Sequence, residues 1–138
     1  QIPIWGVKDS SGIISSAEEF LKKKVKVLVG SDSLLIQALQ HGASGGICGL
    51  GNIFPAQMAE VYRKYRGGHV QEAEETLKFV IDTVNSFLKP EFVFADIISA
   101  VKEAGKVLNN PNLGAMRLPV GNVSLSPDAL AKLRVIKG

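Results

Sequence analysis

Three short apolar runs, each followed by a helical segment, organise the first half of this chain and leave few folds open to it. Residues 2–8 (Ile2-Pro3-Ile4-Trp5-Gly6-Val7-Lys8) read as a buried strand. Ser15-Ser16 ahead of Ala17-Glu18-Glu19-Phe20-Leu21 predict a serine-capped helix with acidic residues in its first turn. Val25-Lys26-Val27-Leu28-Val29-Gly30 is a β-branched strand ended by glycine. Asp32 or Ser31 then caps a helix through Leu34, Leu35, Ala38 and Leu39 that stops at His41-Gly42. A third, small strand covers Ala43-Ser44-Gly45-Gly46-Ile47-Cys48-Gly49. Strands alternating with helices imply βαβ units and a parallel sheet with right-handed crossovers. Three parallel strands cannot close on themselves, because closure takes eight. Their edges must then pair with something else. The expected fold class is therefore α/β: the C-terminal part (the last three βα units) of a TIM (β/α)8 barrel plus C-terminal helices.

The second half is helical. Pro55 opens a helix carrying Met58, Val61, Tyr62 and Tyr65 that ends at Gly67-Gly68. Val70, Ala73, Leu77, Val80, Ile81, Val84 and Leu88 share one side of a long amphipathic helix that Lys89-Pro90 breaks. Phe92 to Leu108 predict another helix, stopped by Asn109-Asn110-Pro111-Asn112. Residues 113–125 are extended, and Ser126-Pro127-Asp128 starts a last short helix. The expected division is residues 1–66 for strands six to eight and their helices, and 67–138 for a helical region. The chain lacks an initiator methionine and opens almost inside a strand, which reads as a piece of a longer protein.

Composition removes several classes of function. A net charge of +3, with no lysine-arginine cluster interleaved with aromatics, argues against nucleic-acid binding. The run Lys22-Lys23-Lys24-Val25-Lys26 straddles a helix C-terminus, where cations complement the dipole. No apolar run approaches the ~20 residues of a membrane helix. The lone Cys48 cannot close an intrachain disulfide, which points to a cytoplasmic setting. It reads as a small core residue, since no histidine is placed to activate it. His41 and His69 have no second ligand at metal spacing and read as surface residues. Gly46-x-x-Gly49-x-Gly51 has the wrong spacing for a dinucleotide fingerprint.

Lys8 carries the chemistry. An amine at the C-terminal tip of a buried strand is costly to keep protonated. A neutral amine attacks a ketone and forms a Schiff base. The other reading is that Lys8 points into water where the strand ends. Alternation puts Ile4 and Gly6 on the side of Lys8, and Trp5 and Val7 toward the helices.

Three segments resemble, in order and at matching spacing, the C-terminal half of the dihydrodipicolinate synthase and N-acetylneuraminate lyase family of class I pyruvate aldolases. They are Trp5-Gly6-Val7-Lys8-Asp9-Ser10-Ser11-Gly12, Val29-Gly30-Ser31-Asp32, and Gly42-Ala43-Ser44-Gly45-Gly46-Ile47-Cys48-Gly49-Leu50-Gly51-Asn52-Ile53. Met116-Arg117-Leu118-Pro119, followed by Leu125-Ser126-Pro127, is similar to the family's closing segment. The resemblance implies that Lys8 is the Schiff-base lysine, so no cofactor beyond this covalent link is needed. Gly30, Asp32 and Ser33 match positions that contact the variable end of the substrate, and Asp32 fits equally a helix N-cap. Ile47 matches a residue whose backbone lies near pyruvate, and it fits core packing as well. Gly45 and Gly46 allow close backbone approach or mark a bend.

The implied partners are pyruvate and an aldehyde or 2-keto-3-deoxy acid, the missing N-terminal half of the barrel, and further copies in a homo-oligomer. Cleavage of a 2-keto-3-deoxy sugar acid to pyruvate and an aldehyde is favoured by the glycine-rich strand eight over dihydrodipicolinate synthesis. A non-catalytic half-barrel acting as an assembly module is the rival from another class. The family's proton-relaying tyrosine and carboxylate-gripping loop lie before strand six and are not in these residues. This polypeptide alone is therefore expected to show little or no aldolase turnover.

Overall fold

The computed structural model describes residues 3–89, 93–109 and 112–137. Strand β1 (Gly6–Asp9), helix α1 (Ile14–Lys22), strand β2 (Lys26–Val29), helix α2 (Leu35–Gln40) and the short strand β3 (Gly45–Gly46) make up the alternating half. Helices α3 (Pro55–Arg66), α4 (Val70–Asn85), α5 (Phe94–Leu108) and α6 (Pro127–Lys137) follow. The strands form one parallel sheet in the order β1-β2-β3, as the sequence predicts. Lys8 lies opposite Leu28, and Leu28 opposite Gly45.

Side-chain alternation sets the two faces of the sheet. Val27 and Val29 are buried against the helices, whereas Lys26 and Leu28 point to the other face. Val7 shares the helix-facing side with Val27, and Lys8 shares the opposite side with Leu28. One hydrophobic cluster runs from Ala17 of α1 through Val61 and Val80 to Leu133 of α6. Gly42 (φ 98°) and Gly68 (φ 85°) end α2 and α3 in the left-handed conformation that glycine alone enters cheaply. Among the described residues no helix is long and apolar enough to cross a membrane.

Several boundaries differ from the sequence reading, each for a physical reason. β1 begins at Gly6; Ile2 lies outside the described residues. Trp5 precedes the strand and is 75% exposed instead of facing the helices. Its ring carries the Lys26 ammonium 4.3 Å from the centroid. α1 begins at Ile14 with no side-chain cap, so Ser15 and Ser16 lie inside the helix. The turn before it is closed by Ser11, whose N–H donates to Asp9 Oδ1 (2.9 Å) and whose Oγ accepts from the Ile13 N–H (3.2 Å). Neither Ser31 nor Asp32 caps α2; a 3-10 turn (Asp32–Leu34) leads into it. α4 ends at Asn85, where Ser86 Oγ donates to the Thr83 carbonyl and Phe87 turns into the core. The predicted break at Pro90 and helix start at Phe92 lie outside the described residues. α5 begins at Phe94, with the preceding Val93 N–H donated to Asp96 Oδ2 (3.1 Å).

The core predicts its own test. Leu133 is fully buried in the cluster that holds the sheet, and Val135 on the same helix is 81% exposed. Leu133→Ala is expected to lower stability by about 2–5 kcal/mol in urea unfolding of the full-length protein. Val135→Ala is expected to stay within about 0.5 kcal/mol. Equal effects at the two positions would remove α6 from the core.

Candidate functional site

The backbone ladder continues past the strand ends. The Gly30 N–H donates to the Asp9 carbonyl (2.6 Å) and the Ile47 N–H to the Val29 carbonyl (2.8 Å). Because the strands are parallel, their C-terminal ends form one rim. A cavity of about 660 Å³ opens at this rim, and Lys8, Gly30, Asp32, Ser33 and Ile47 all line it. Its far wall comes from α4 and α5, through Ile81, Val84, Phe94 and Ile98.

Lys8 is exposed, so the shelter expected from the sequence is not supplied by the described residues. It is nonetheless close to Gly30. A Cβ on Gly30 would stand 3.1 Å from Lys8 Cε and 2.2 Å from Ser10 Oγ. Glycine at 30 is what lets these two side chains lie over the end of β2. Ile47 is 52% exposed and is held through its backbone, so core packing does not account for it. Ser33 is exposed, with its Oγ 3.1 Å from Ser31 Oγ. Gly46 faces the helices, where a Cβ would meet Cys48 Sγ at 2.7 Å and Leu35 Cδ1 at 3.0 Å, as close approach requires.

Asp32 does something neither sequence reading proposed. Instead of capping a helix, its Oδ1 accepts the Leu50 N–H (3.0 Å) from the turn after β3. Burial pushes its carboxyl above the usual range, against the pull of backbone N–H groups of Leu50, Asp32 and Gly49. The Cys48 thiol is pushed up to about 12, first by burial and then by the nearby Asp32 charge, with Lys8 opposing. Cys48 is thus a protonated, unreactive thiol at neutral pH. At Asp9 burial favours the neutral acid, but hydrogen bonds from the Ser11 backbone and side chain and from Ser16 outweigh it. That carboxyl sits below its ordinary range.

The remaining candidates fall away from the rim. His41 pairs with Glu18 (2.8 Å) and His69 with Glu72 (3.0 Å), both on the surface. Among the described residues no three metal-ligating side chains cluster. Tyr62 is partly exposed, its hydroxyl donated to the Ser44 carbonyl (3.3 Å), and Tyr65 packs against the core. Sequence reasoning missed the α5 wall, Ser10 and Asn52 as lining residues. Ser10 sits in the Lys8 segment and offered a signal; the α5 wall offered only amphipathic periodicity. The arrangement presents a primary amine on a rim of small residues and hydroxyls, which suits attack on a carbonyl carbon.

Comparison with known proteins agrees with this fold. The sequence profile of the Dihydrodipicolinate synthetase family matches residues 2–135. A DapA-like lyase of Chloroflexus aurantiacus is 32% identical over 133 residues, covering 94% of this chain and 41% of the relative. The 2-keto 3-deoxygluconate aldolase from Picrophilus torridus superposes with a TM-score of 0.64 at 26% identity, over 88% of this chain and 43% of that one. An E. coli K12 prophage protein of the dihydrodipicolinic acid synthase family, solved in complex with pyruvate, shares the fold with a TM-score of 0.70 at 21% identity, over 96% of this chain and 45% of that one. The chain thus spans less than half the length of the proteins it matches. With the profile running almost end to end, this chain belongs to the dihydrodipicolinate synthetase family.

Proposed function

We propose that these residues form the lysine-bearing part of a Schiff-base aldolase that handles pyruvate. In this reading residues 1–66 supply strands six to eight of a (β/α)8 barrel and 67–138 its helical region, with the other strands completing the cavity around Lys8. The observation that carries the reading is the meeting of Lys8, Gly30 and Ile47 at one rim. The Lys8 amine attacks the keto carbon, water leaves, and an iminium forms. The C4 hydroxyl of a 2-keto-3-deoxy acid gives up its proton to a base, the C3–C4 bonding electrons move into the iminium, and the bond breaks to an aldehyde and an enamine. Protonation and hydrolysis of the enamine then release pyruvate.

Gly30 is assigned to close packing under Lys8, and the Ile47 backbone to the pyruvate end. Asp32 and Ser33 stand toward the variable end. Cleavage of a 2-keto-3-deoxy sugar acid is supported by the likeness to the Picrophilus aldolase. The family description itself favours the rival reading, 4-hydroxy-tetrahydrodipicolinate synthesis by condensation. Comparing retro-aldol cleavage of keto-deoxy acids with condensation on aspartate semialdehyde, in the full-length protein, separates the two.

Borohydride reduction in the presence of pyruvate is expected to place one reduced pyruvate on Lys8 of the full-length protein, read by peptide mass. Lys8→Met is expected to abolish that adduct. A label on another lysine, or none, would overturn the Schiff-base reading. Gly30→Ala is expected to slow trapping by roughly 10–100-fold, because its methyl displaces Ser10 and the Lys8 stem. An unchanged rate would show that the close packing at Gly30 does not position the amine.

A further inference from the structure

The segment after β3 supplies Ile47, Gly49, Leu50 and Asn52 to the cavity, and it is held by side chains from two distant elements. From the β2 side, Asp32 Oδ1 accepts the Leu50 N–H (3.0 Å). From the helical tail, Asn109 at the end of α5 donates its side-chain amide to two consecutive carbonyls, those of Asn52 (3.0 Å) and Ile53 (2.8 Å). Asn109 stands outside the cavity. Ile53 and Phe54 are buried, so carbonyls in this turn need protein partners in place of water. α5 also approaches the turn closely: a Cβ on Gly105 would stand 3.9 Å from the Asn52 carbonyl oxygen.

We propose that Asp32 and Asn109 act together as a clamp that fixes the Ile47–Asn52 segment beside Lys8, making Asn109 a positioning residue for the site from outside it. The role depends on hydrogen-bond polarity. Asp32 is needed as an acceptor, and its charge is dispensable; Asn109 is needed as a donor. A carboxylate at 109 would turn lone pairs toward two carbonyl oxygens. The readout at Lys8 rests on the Schiff-base reading above; the clamp itself does not.

The test uses the full-length protein and pyruvate, which has no distal group for Asp32 to grip. Half-saturating pyruvate for borohydride trapping is expected to rise about tenfold in Asp32→Ala and in Asn109→Asp, as loss of one or two hydrogen bonds implies. Asp32→Asn keeps the acceptor, so amide exchange at Leu50 is expected to stay within about twofold of wild type. Leu133→Ala, which weakens the fold without removing a hydrogen bond of the turn, is expected to leave half-saturation unchanged. Wild-type behaviour of Asn109→Asp would overturn the clamp. Amide exchange at Leu50 gives a readout independent of pyruvate. Exchange about tenfold faster in Asp32→Ala and Asn109→Asp supports the clamp even if wild type traps no pyruvate, an outcome that sinks only the aldolase reading. Unaltered Leu50 exchange in both variants overturns the clamp, as does exchange in Asp32→Asn as fast as in Asp32→Ala; these readouts also decide the matter if Asp32→Ala does not fold.

Discussion

Everything at the site hangs from the parallel backbone ladder. Antiparallel strands would send Lys8 and Gly30 to opposite ends of the sheet; parallel pairing, Gly6 with Lys26 and Leu28 with Gly45, brings all three strand ends to one rim. The ladder then continues through Gly30 to Asp9 and Ile47 to Val29, beyond the regular strands. These two bonds decide how close the loops lie. With β3 only Gly45–Gly46 long, the Ile47 bond matters more than in a sheet of ordinary strands.

Given that rim, the side chains follow from space and dielectric. Gly30 leaves the volume that Lys8 Cε and Ser10 Oγ occupy. Asp32 and Cys48 are both partly buried and are both pushed toward their neutral forms, each by burial first. They differ in partners. The Asp32 carboxyl receives backbone N–H groups, whereas among the described residues the Cys48 thiol donates to the Val29 carbonyl, at 3.7 Å. One becomes a structural acceptor; the other stays a small, inert residue.

The sheet and most helices were legible because their signals are local. Val27 and Val29 alternate with Lys26 and Leu28, and that alternation is what the buried and open faces require. Gly42 and Gly68 end helices where the sequence places stops. The three motif segments were enough to bring Lys8, Gly30, Asp32, Ser33 and Ile47 to one cavity. What local pattern could not carry was long-range pairing. Asp32 looks like a cap from sequence because the N–H it satisfies is 18 residues away. Asn109 looks like a helix stop because its acceptors precede it by 56 and 57 residues. Trp5 was assigned inward by alternation, which stops applying where the strand stops.

The helical region is joined to the rim by polar as well as apolar contacts. Ser99 is fully buried in α5 and accepts the Val123 N–H (2.9 Å), while Lys102 donates to the Ala115 carbonyl (2.8 Å). These bonds tie segment 113–125 to α5. The sequence predicts this segment to be extended, but it turns at Leu118–Val120, where the Val120 N–H donates to the Arg117 carbonyl (3.1 Å). α6 packs on α5 in turn, with Ala129 and Leu133 in the common cluster. A buried hydroxyl left without its partner costs about 1–3 kcal/mol, so α5 has strong reason to keep this register. Register in α5 is also what aims Phe94 and Ile98 at the cavity and Asn109 at the Asn52 carbonyl. One core and one hydrogen-bonded frame therefore run across residue 66. A change in the tail that shifts α5 along its axis is felt at the Lys8 rim without any contact to Lys8.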